Sequence, residues 1–482
     1  MLFNSINFAI FLPVVLLLYW FVFHKSLKWQ NILLLFASYF FYACWDWRFL
    51  FLLVFSTLLD YYTGIKIFDA QTKSGKKIWM LLSVIINLGF LGVFKYYNFF
   101  IESLAEGLEP FGIKLHYNTI KLILPVGISF YTFHGLSYVL DLYNCKIKPE
   151  RNFVNYSVFV SFFPLLVAGP IERSTHLLPQ IIKERKFEYS KALSGMRQIL
   201  WGLCKKVVIA DRCAAHADVI FNNFSDSSGS TLLLGAIFFA FQIYGDFSGY
   251  SDMALGSARL FGIDLLKNFS FPYFSRDIAE FWRRWHISLS SWFRDYIYIP
   301  LRGSQVGLLK KIRNIFIIFL ISGFWHGANW TFIVWGGLNA LYMVPSIVLN
   351  SNRNYLDIVA KGKVWPTWKE LASVIKTFLL TTLAWIFFRS NNVSDAFLYI
   401  SKVFSQSIFS VPQFSGKSDA FTTGILLIFF IIFEWKGREC SYALENFGIN
   451  KPRYFRIAFY YILLLIIFYF SGSTQQFIYF QF

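Results

Sequence analysis

Charge is scarce in this chain, and negative charge scarcer still. Only 15% of the 482 residues are charged, with 27 Asp and Glu against 45 Lys and Arg. So little charge, beside 56% hydrophobic residues and a mean hydropathy of +0.50, excludes an ordinary soluble globule and points to an integral membrane protein. Cysteine is also sparse. Cys44, Cys145, Cys204, Cys213 and Cys440 show no metal-ligand spacing, and most lie in or beside apolar runs. They read as small buried hydrophobes, which argues against a disulfide framework and against a zinc or other metal site. There is no internal repeat, no low-complexity tract and no soluble domain; the largest polar stretches are 173–191, 350–370 and 436–456. The net charge of +18 is spread over loops and forms no patterned basic module, so nucleic acid is not an expected partner. It suits positive loops against anionic membrane lipids, or the holding of a polyanionic cytosolic substrate.

What is present is a series of apolar runs of spanning length. They fall at 7–23, 31–45, 48–62, 79–97, 120–142, 153–171, 192–211, 230–248, 314–335, 336–349, 371–389, 421–435 and 457–472, an all-α chain of about eleven to thirteen crossing or re-entrant helices. The positive residues Lys25 and Lys28 follow the first run, which is therefore no cleavable signal and is expected to leave the amino terminus outside. Segments 66–77, 302–313 and 436–456 are rich in Lys and Arg and read as cytoplasmic. Five runs lie between the first two of these segments, where an even number of crossings is needed, so one of the five is expected to be re-entrant or a crossing is missing from the list. The carboxyl terminus is then also outside, in a multi-pass protein of the plasma (inner) membrane. The chain is expected to be one polytopic domain over 1–482, with nearly all its unusual polar residues within about 120–350.

No charged residue occurs between Arg313 and Arg353, yet His326 lies inside that stretch, in Phe324-Trp-His-Gly. An ionisable group in such a setting marks a functional site by default. On a helix starting near Asn314 it would lie ~18–20 Å along, past the middle of a ~30 Å hydrocarbon core. Trp325, Ser322, Asn329 and Thr331 surround it, and Gly323 and Gly327 leave room for a substrate; Gly327, Gly336 and Gly337 are the expected bend points. Forty residues earlier stands His286. As one helix, 281–296 would gather Phe281, Trp282, Trp285, Leu289, Trp292 and Phe293 on one arc and Arg283, Arg284, Ser291 and Arg294 opposite, with His286 on the border. That pattern suits either an interfacial helix or arginines holding phosphates while His286 faces a cavity. In 245–252, Asp246 and Asp252 are expected at the membrane boundary, paired with Arg259 or Arg276, capping a helix, orienting a catalytic histidine or touching the acyl donor. His134 reads as a satisfied core residue.

Taken together, these blocks resemble the membrane-bound O-acyltransferases, and within them the bacterial polysaccharide O-acetylation branch. The resemblance is carried by LPVGISFYTF at 124–133, FFPLLVAGPIER at 162–173, LWGLCKKVVIADR at 200–212 and YGDFSGYSDMALG at 244–256. It continues through 268–303 and SGFWHGANWTFIVWGGLNA at 322–340, and closes with FIYFQF at 477–482. It implies a ring of tilted helices around a central catalytic tunnel, His326 as the main catalytic histidine and His286 as a second active-site position. It also implies a cytosolic acyl thioester as donor, expected to be acetyl-CoA used as a substrate, with no tightly bound cofactor.

The acceptor would be an exported polysaccharide such as alginate, reached directly or through an extracytoplasmic SGNH-type acetyltransferase. The related branch that transfers D-alanine to teichoic acids shares the core. Arg276, Arg283 and Arg284 are the candidates for donor phosphates; Trp325, Asn329 and Asp246 are further substrate candidates, with Asn329 or His286 orienting substrate or stabilising an oxyanion. A transporter with His326 and Asp246 as relays, or a scaffold for a partner enzyme, are the competing readings; the lack of an inverted repeat counts against the first.

Overall fold

The computed structural model describes residues 1–120, 123–167, 169–472, 475, 477 and 478, and among them there is no strand. Among the described residues, seven helical runs are long and apolar enough to cross a membrane: Leu27–Asp69, Lys73–Phe111, Gly229–Leu260, Trp330–Val348, Trp368–Arg389, Lys417–Gly437 and Arg453–Phe470. The first comprises two 20-residue helices, Leu27–Asp46 and Leu50–Asp69, joined by a short turn at Trp47–Phe49. Twenty residues rise ~30 Å, the thickness of the hydrocarbon core. The protein is thus a multi-pass, all-α membrane protein. Its chain forms two compact units, one of Met1–Ala192 with Ser257–Leu266, the other of Leu193–Gly256 with Lys267–Phe482.

In the first unit the run expected at 153–171 does not cross. Its helix Phe153–Ser161 has nine residues, which rise only ~13 Å. The cause is Pro164, which cannot donate to the carbonyl of Val160 four residues back. That carbonyl instead lies 3.4 Å from Nδ1 of His134, so His134 is a buried packing residue here. Of the five runs between the first two basic segments, among the described residues only those at 79–97 and 230–248 fall on helices long and apolar enough to cross, an even number. Residues 121, 122 and 168 of the expected runs lie outside the described residues.

The second unit holds two departures from the expected spans. The helix expected at 230–248 continues without interruption over Gly229–Leu260 and carries Asp246 and Asp252 inside it. The stretch 314–349 is a helical hairpin of Leu308–His326 and Trp330–Val348. Its break lies at 327–329; Gly336 and Gly337, expected as bends, sit mid-helix. Close packing explains the glycines better. A Cβ on Gly323 would lie 2.2 Å from the carbonyl oxygen of Phe332, and one on Gly336 2.3 Å from that of Phe319. Of the cysteines, only Cys204 and Cys213 are buried; Cys44 and Cys145 are exposed and Cys440 is intermediate, so the buried-hydrophobe reading holds for two of the five.

Candidate active site

Both histidines stand at breaks in the helical backbone. His326 is the last residue of Leu308–His326, and Gly327 follows in an extended conformation. The second helix of the hairpin starts behind Asn329, whose side chain accepts from the Thr331 amide at 2.9 Å and donates to the Asn391 carbonyl at 2.9 Å. Asn329 is thus a helix cap tied to a neighbouring loop, and it does not line the cavity described below. The oxyanion role expected for it has no support in this geometry.

The amphipathic helix expected over 281–296 is broken. Ile278–Arg284 and Ile287–Phe293 are two seven-residue helices, and His286 between them adopts φ 44° and ψ 53°. This left-handed conformation costs a residue with a Cβ ~1–2 kcal/mol. Asn268 holds the break. Its backbone carbonyl accepts from the Ile287 amide at 2.9 Å. Its side-chain Oδ1 accepts from the Ser288 hydroxyl at 2.7 Å and lies 3.0 Å from His286 Nδ1, while its Nδ2 donates to Ser251 Oγ at 3.1 Å.

With Oδ1 as the acceptor, Nδ1 of His286 carries the hydrogen; this tautomer is inferred from the network. Burial disfavours the charged ring, which lies below the usual histidine range. Nε2 is then a bare lone pair, and it makes no hydrogen bond in the structure. His286 offers an acceptor, not an oxyanion donor.

Both imidazoles line one cavity of about 210 Å3, together with Trp282, Arg283, Ser290, Ser322 and Asn352. Trp282, Phe293 and Phe319 give it aromatic walls, and other rings that do not line it pack against the histidines. The His326 ring stands edge-on to Trp335 at 5.1 Å and Phe388 at 5.2 Å between centroids. Trp325 is buried against both histidines, 4.9 Å from His326 and 5.9 Å from His286. Two imidazoles on one cavity suit proton transfer during acyl transfer.

The three arginines expected to hold phosphates are mostly occupied. Arg276 donates to Glu280 at 3.0 Å and to Asp357 at 2.8 Å; Arg284 donates to Glu280 at 2.8 Å and to the Asp357 carbonyl at 2.8 Å. The hydrogen bond from Arg276 holds the Asp357 carboxyl below its ordinary range. Neither arginine lines the cavity, so the structure assigns them to fastening the loop that follows Trp330–Val348. Arg283 does line it, at the side of Asn352, although two of its nitrogens donate to the carbonyls of Asn352 and Tyr355 at 2.8 and 2.7 Å.

Asp246 is elsewhere: it pairs with Lys206 at 2.8 Å and accepts from the Ile478 amide at 2.7 Å, and Asp252 pairs with Lys205 at 2.5 Å. The partners expected for them, Arg259 and Arg276, are not the ones found. Of the closing FIYFQF block, the Phe477 ring packs tilted against Tyr250, 4.3 Å between centroids, while 479–482 lie outside the described residues. Asn268 and Ser290 were not singled out from sequence; both lie within the 268–303 block, but an uncharged Asn in an aromatic run carries no signal of its own.

The model of the membrane-bound O-acyltransferase family matches residues 148–358, which contain both histidines. The chain is 39% identical over 428 residues to a protein of Pseudomonas aeruginosa named probable alginate O-acetylase AlgI, covering 88% of this chain and 78% of that one. It is 36% identical over 452 residues to the peptidoglycan O-acetyltransferase of Helicobacter pylori, covering 87% and 83%. A teichoic acid D-alanyltransferase of Bacillus subtilis is 29% identical over 277 residues, 55% of this chain and 68% of that one. The chain belongs to the membrane-bound O-acyltransferase family and is an O-acyltransferase.

Proposed function

We propose that this enzyme takes an acetyl group from a cytosolic thioester, acetyl-CoA, and passes it across the plasma (inner) membrane for O-acetylation of an exported polysaccharide of the alginate type. The observation that carries the reading is the pair of buried histidines on one cavity, one with a bare Nε2. A nucleotide-bearing thioester does not cross ~30 Å of hydrocarbon, whereas a pocket inside the protein lets the acyl group cross without its carrier. The small cavity favours a short acyl group.

In the step itself, an acceptor hydroxyl oxygen attacks the thioester carbonyl carbon while His326 takes the hydroxyl proton. The C–S bond breaks, and the departing thiolate takes that proton back. His286 Nε2 accepts a hydrogen bond from a second donor on the substrate, such as a hydroxyl neighbouring the one that attacks, and so orients it. Arg283, at the cavity, is the cation best placed for the donor. The acceptor is the polysaccharide itself or a hydroxyl of an extracytoplasmic SGNH-type acetyltransferase that relays the group; both termini are then extracytoplasmic. The relatives named for alginate and peptidoglycan O-acetylation support the acetyl reading.

The test is transfer of radiolabelled acetyl from acetyl-CoA in membrane vesicles containing wild type or His326→Ala. A general base contributes ~10²–10⁴ in rate, and a loss of that size at normal protein level is expected. Label on a partner protein identifies the relay. Undiminished transfer by the variant sinks the mechanism.

A further inference from the structure

A second cavity, of about 900 Å3, lies apart from the histidines, between Trp368–Arg389 and Lys417–Gly437. Leu371, Val374, Ile375 and Phe378, at helical spacing, form one wall, and Phe430 and Ile431 face them from the other helix. Both helices are long and apolar enough to cross the membrane. The apolar walls end at a polar mouth made by the start of one helix and the end of the other. Trp365 and Trp368 are strongly exposed there, as expected of tryptophans at headgroup level.

The mouth is basic. Lys363 and Lys436 line it and are exposed, and neither ammonium makes an ion pair among the described residues. Arg438 fixes its rim by donating to the carbonyls of Val359 and Ala360 at 3.0 and 2.7 Å. The two acids are occupied. Glu434 accepts from Trp201 and Tyr244, and Glu439 accepts from the Gly362 amide at 2.9 Å. An apolar slot opening on two unpaired cations has the polarity of one anionic amphiphile. The loop 436–456 is among those that the positive-inside rule assigns to the cytoplasm, the side where a membrane's anionic lipids attract basic segments.

We propose that this groove binds an anionic phospholipid of the cytoplasmic leaflet, its phosphate between Lys363 and Lys436 and an acyl chain along Leu371–Phe378. The occupant is distinct from the acyl donor and the acceptor, so the proposal stands or falls separately from the acetyl-transfer reading.

The test is native mass spectrometry of the full chain in detergent, titrated with phosphatidylglycerol or phosphatidylcholine. Phosphatidylglycerol is expected to bind at least about tenfold more tightly, since a basic side chain near an anionic headgroup contributes on the order of fivefold and two act together. Lys363→Gln/Lys436→Gln, changed at exposed positions, should abolish that preference while weak binding of both lipids remains. Val374→Trp, which fills the slot, should abolish both. Equal binding of the two lipids by the wild type, or a preference that survives the double glutamine change, overturns the proposal. So does unchanged phosphatidylglycerol binding by Val374→Trp, because the chain would then lie elsewhere.

Discussion

Replacing Asn268 tests whether the orientation of His286 matters. Asn268 is a positioning residue: it touches the imidazole at Nδ1, away from the cavity. Asn268→Ala removes the shared acceptor of His286 Nδ1 and the Ser288 hydroxyl, both in buried residues. Leaving a buried polar group unsatisfied costs ~1–3 kcal/mol, so the loss of stability is about 2–6 kcal/mol unless water enters. A catalytic loss accompanies it. A neutral imidazole without that acceptor divides between two tautomers, and only one presents a lone pair at Nε2. The rate of acetyl transfer per folded enzyme should fall several-fold, as the fraction of His286 rings presenting the Nε2 lone pair falls.

Asn268→Asp keeps an acceptor of the same shape and is expected to retain most of the rate, with a diagnostic difference. A carboxylate beside the ring favours the imidazolium and raises its pKa. In the proposed mechanism the neutral ring is the working form, so the acid limb of the pH–rate profile moves to higher pH. The assay is initial-rate transfer of radiolabelled acetyl in vesicles, normalised to folded protein, across the neutral pH range. Wild-type rates in Asn268→Ala would refute the reasoning. So would equal impairment of both variants with superimposable pH profiles, the result expected of a residue that only packs.

Two further predictions concern the frame of the site. Glu280→Gln removes the buried carboxylate shared by the buried Arg276 and the half-buried Arg284, and breaking a buried pair typically costs ~3–5 kcal/mol. The melting temperature of the purified protein should fall by several degrees; an unchanged melt means the network is not structural. Gly323→Ala places a Cβ within 2.2 Å of a backbone oxygen and should destabilise by about 1–3 kcal/mol or more, with loss of activity. Gly337→Ala, where the nearest atom is 3.8 Å away, should be tolerated; equal behaviour of the two in yield and transfer rate would contradict close helix contact in the hairpin.

Long apolar helices were readable because composition decides them. The two helices within Leu27–Asp69 fall where the apolar runs at 31–45 and 48–62 place them. The break at His286 was not readable. No glycine marks the left-handed position, and the partner that holds it, Asn268, is 18 residues away. Helical periodicity over 281–296 is real, but it cannot report a hydrogen bond from Ile287 to the Asn268 carbonyl. The hairpin turn left a signal that admits two readings. Asn329 before an apolar run is a helix-cap signature, and beside a histidine it also passes for a catalytic amide. The arginines misled for a related reason. Their phosphate-binding chemistry is the same chemistry that grips Glu280, Asp357 and loop carbonyls, and only the fold decides between them.

The positions of the two histidines suggest why the breaks are where they are. A catalytic group needs its rotamer and tautomer fixed by neighbours, and a rigid scaffold does this best. His326 stands at the tip of a hairpin whose arms touch at Gly323 and Gly336, so its backbone is held from both sides of the turn. His286 stands between two short helices, in a conformation that costs energy and that Asn268 offsets. Neither side chain points outward from the middle of a long helix, where one lateral slip would carry it off the cavity. A strained backbone kept beside a buried, unpartnered ring nitrogen is hard to explain by packing alone, because a glycine at 286 would remove the strain without losing the turn. The imidazole is therefore what the strain preserves. His286→Gly and His286→Ala should both lose acetyl transfer, and His286→Ala, which leaves a similar cavity but keeps a Cβ in the left-handed region, should be the less stable of the two.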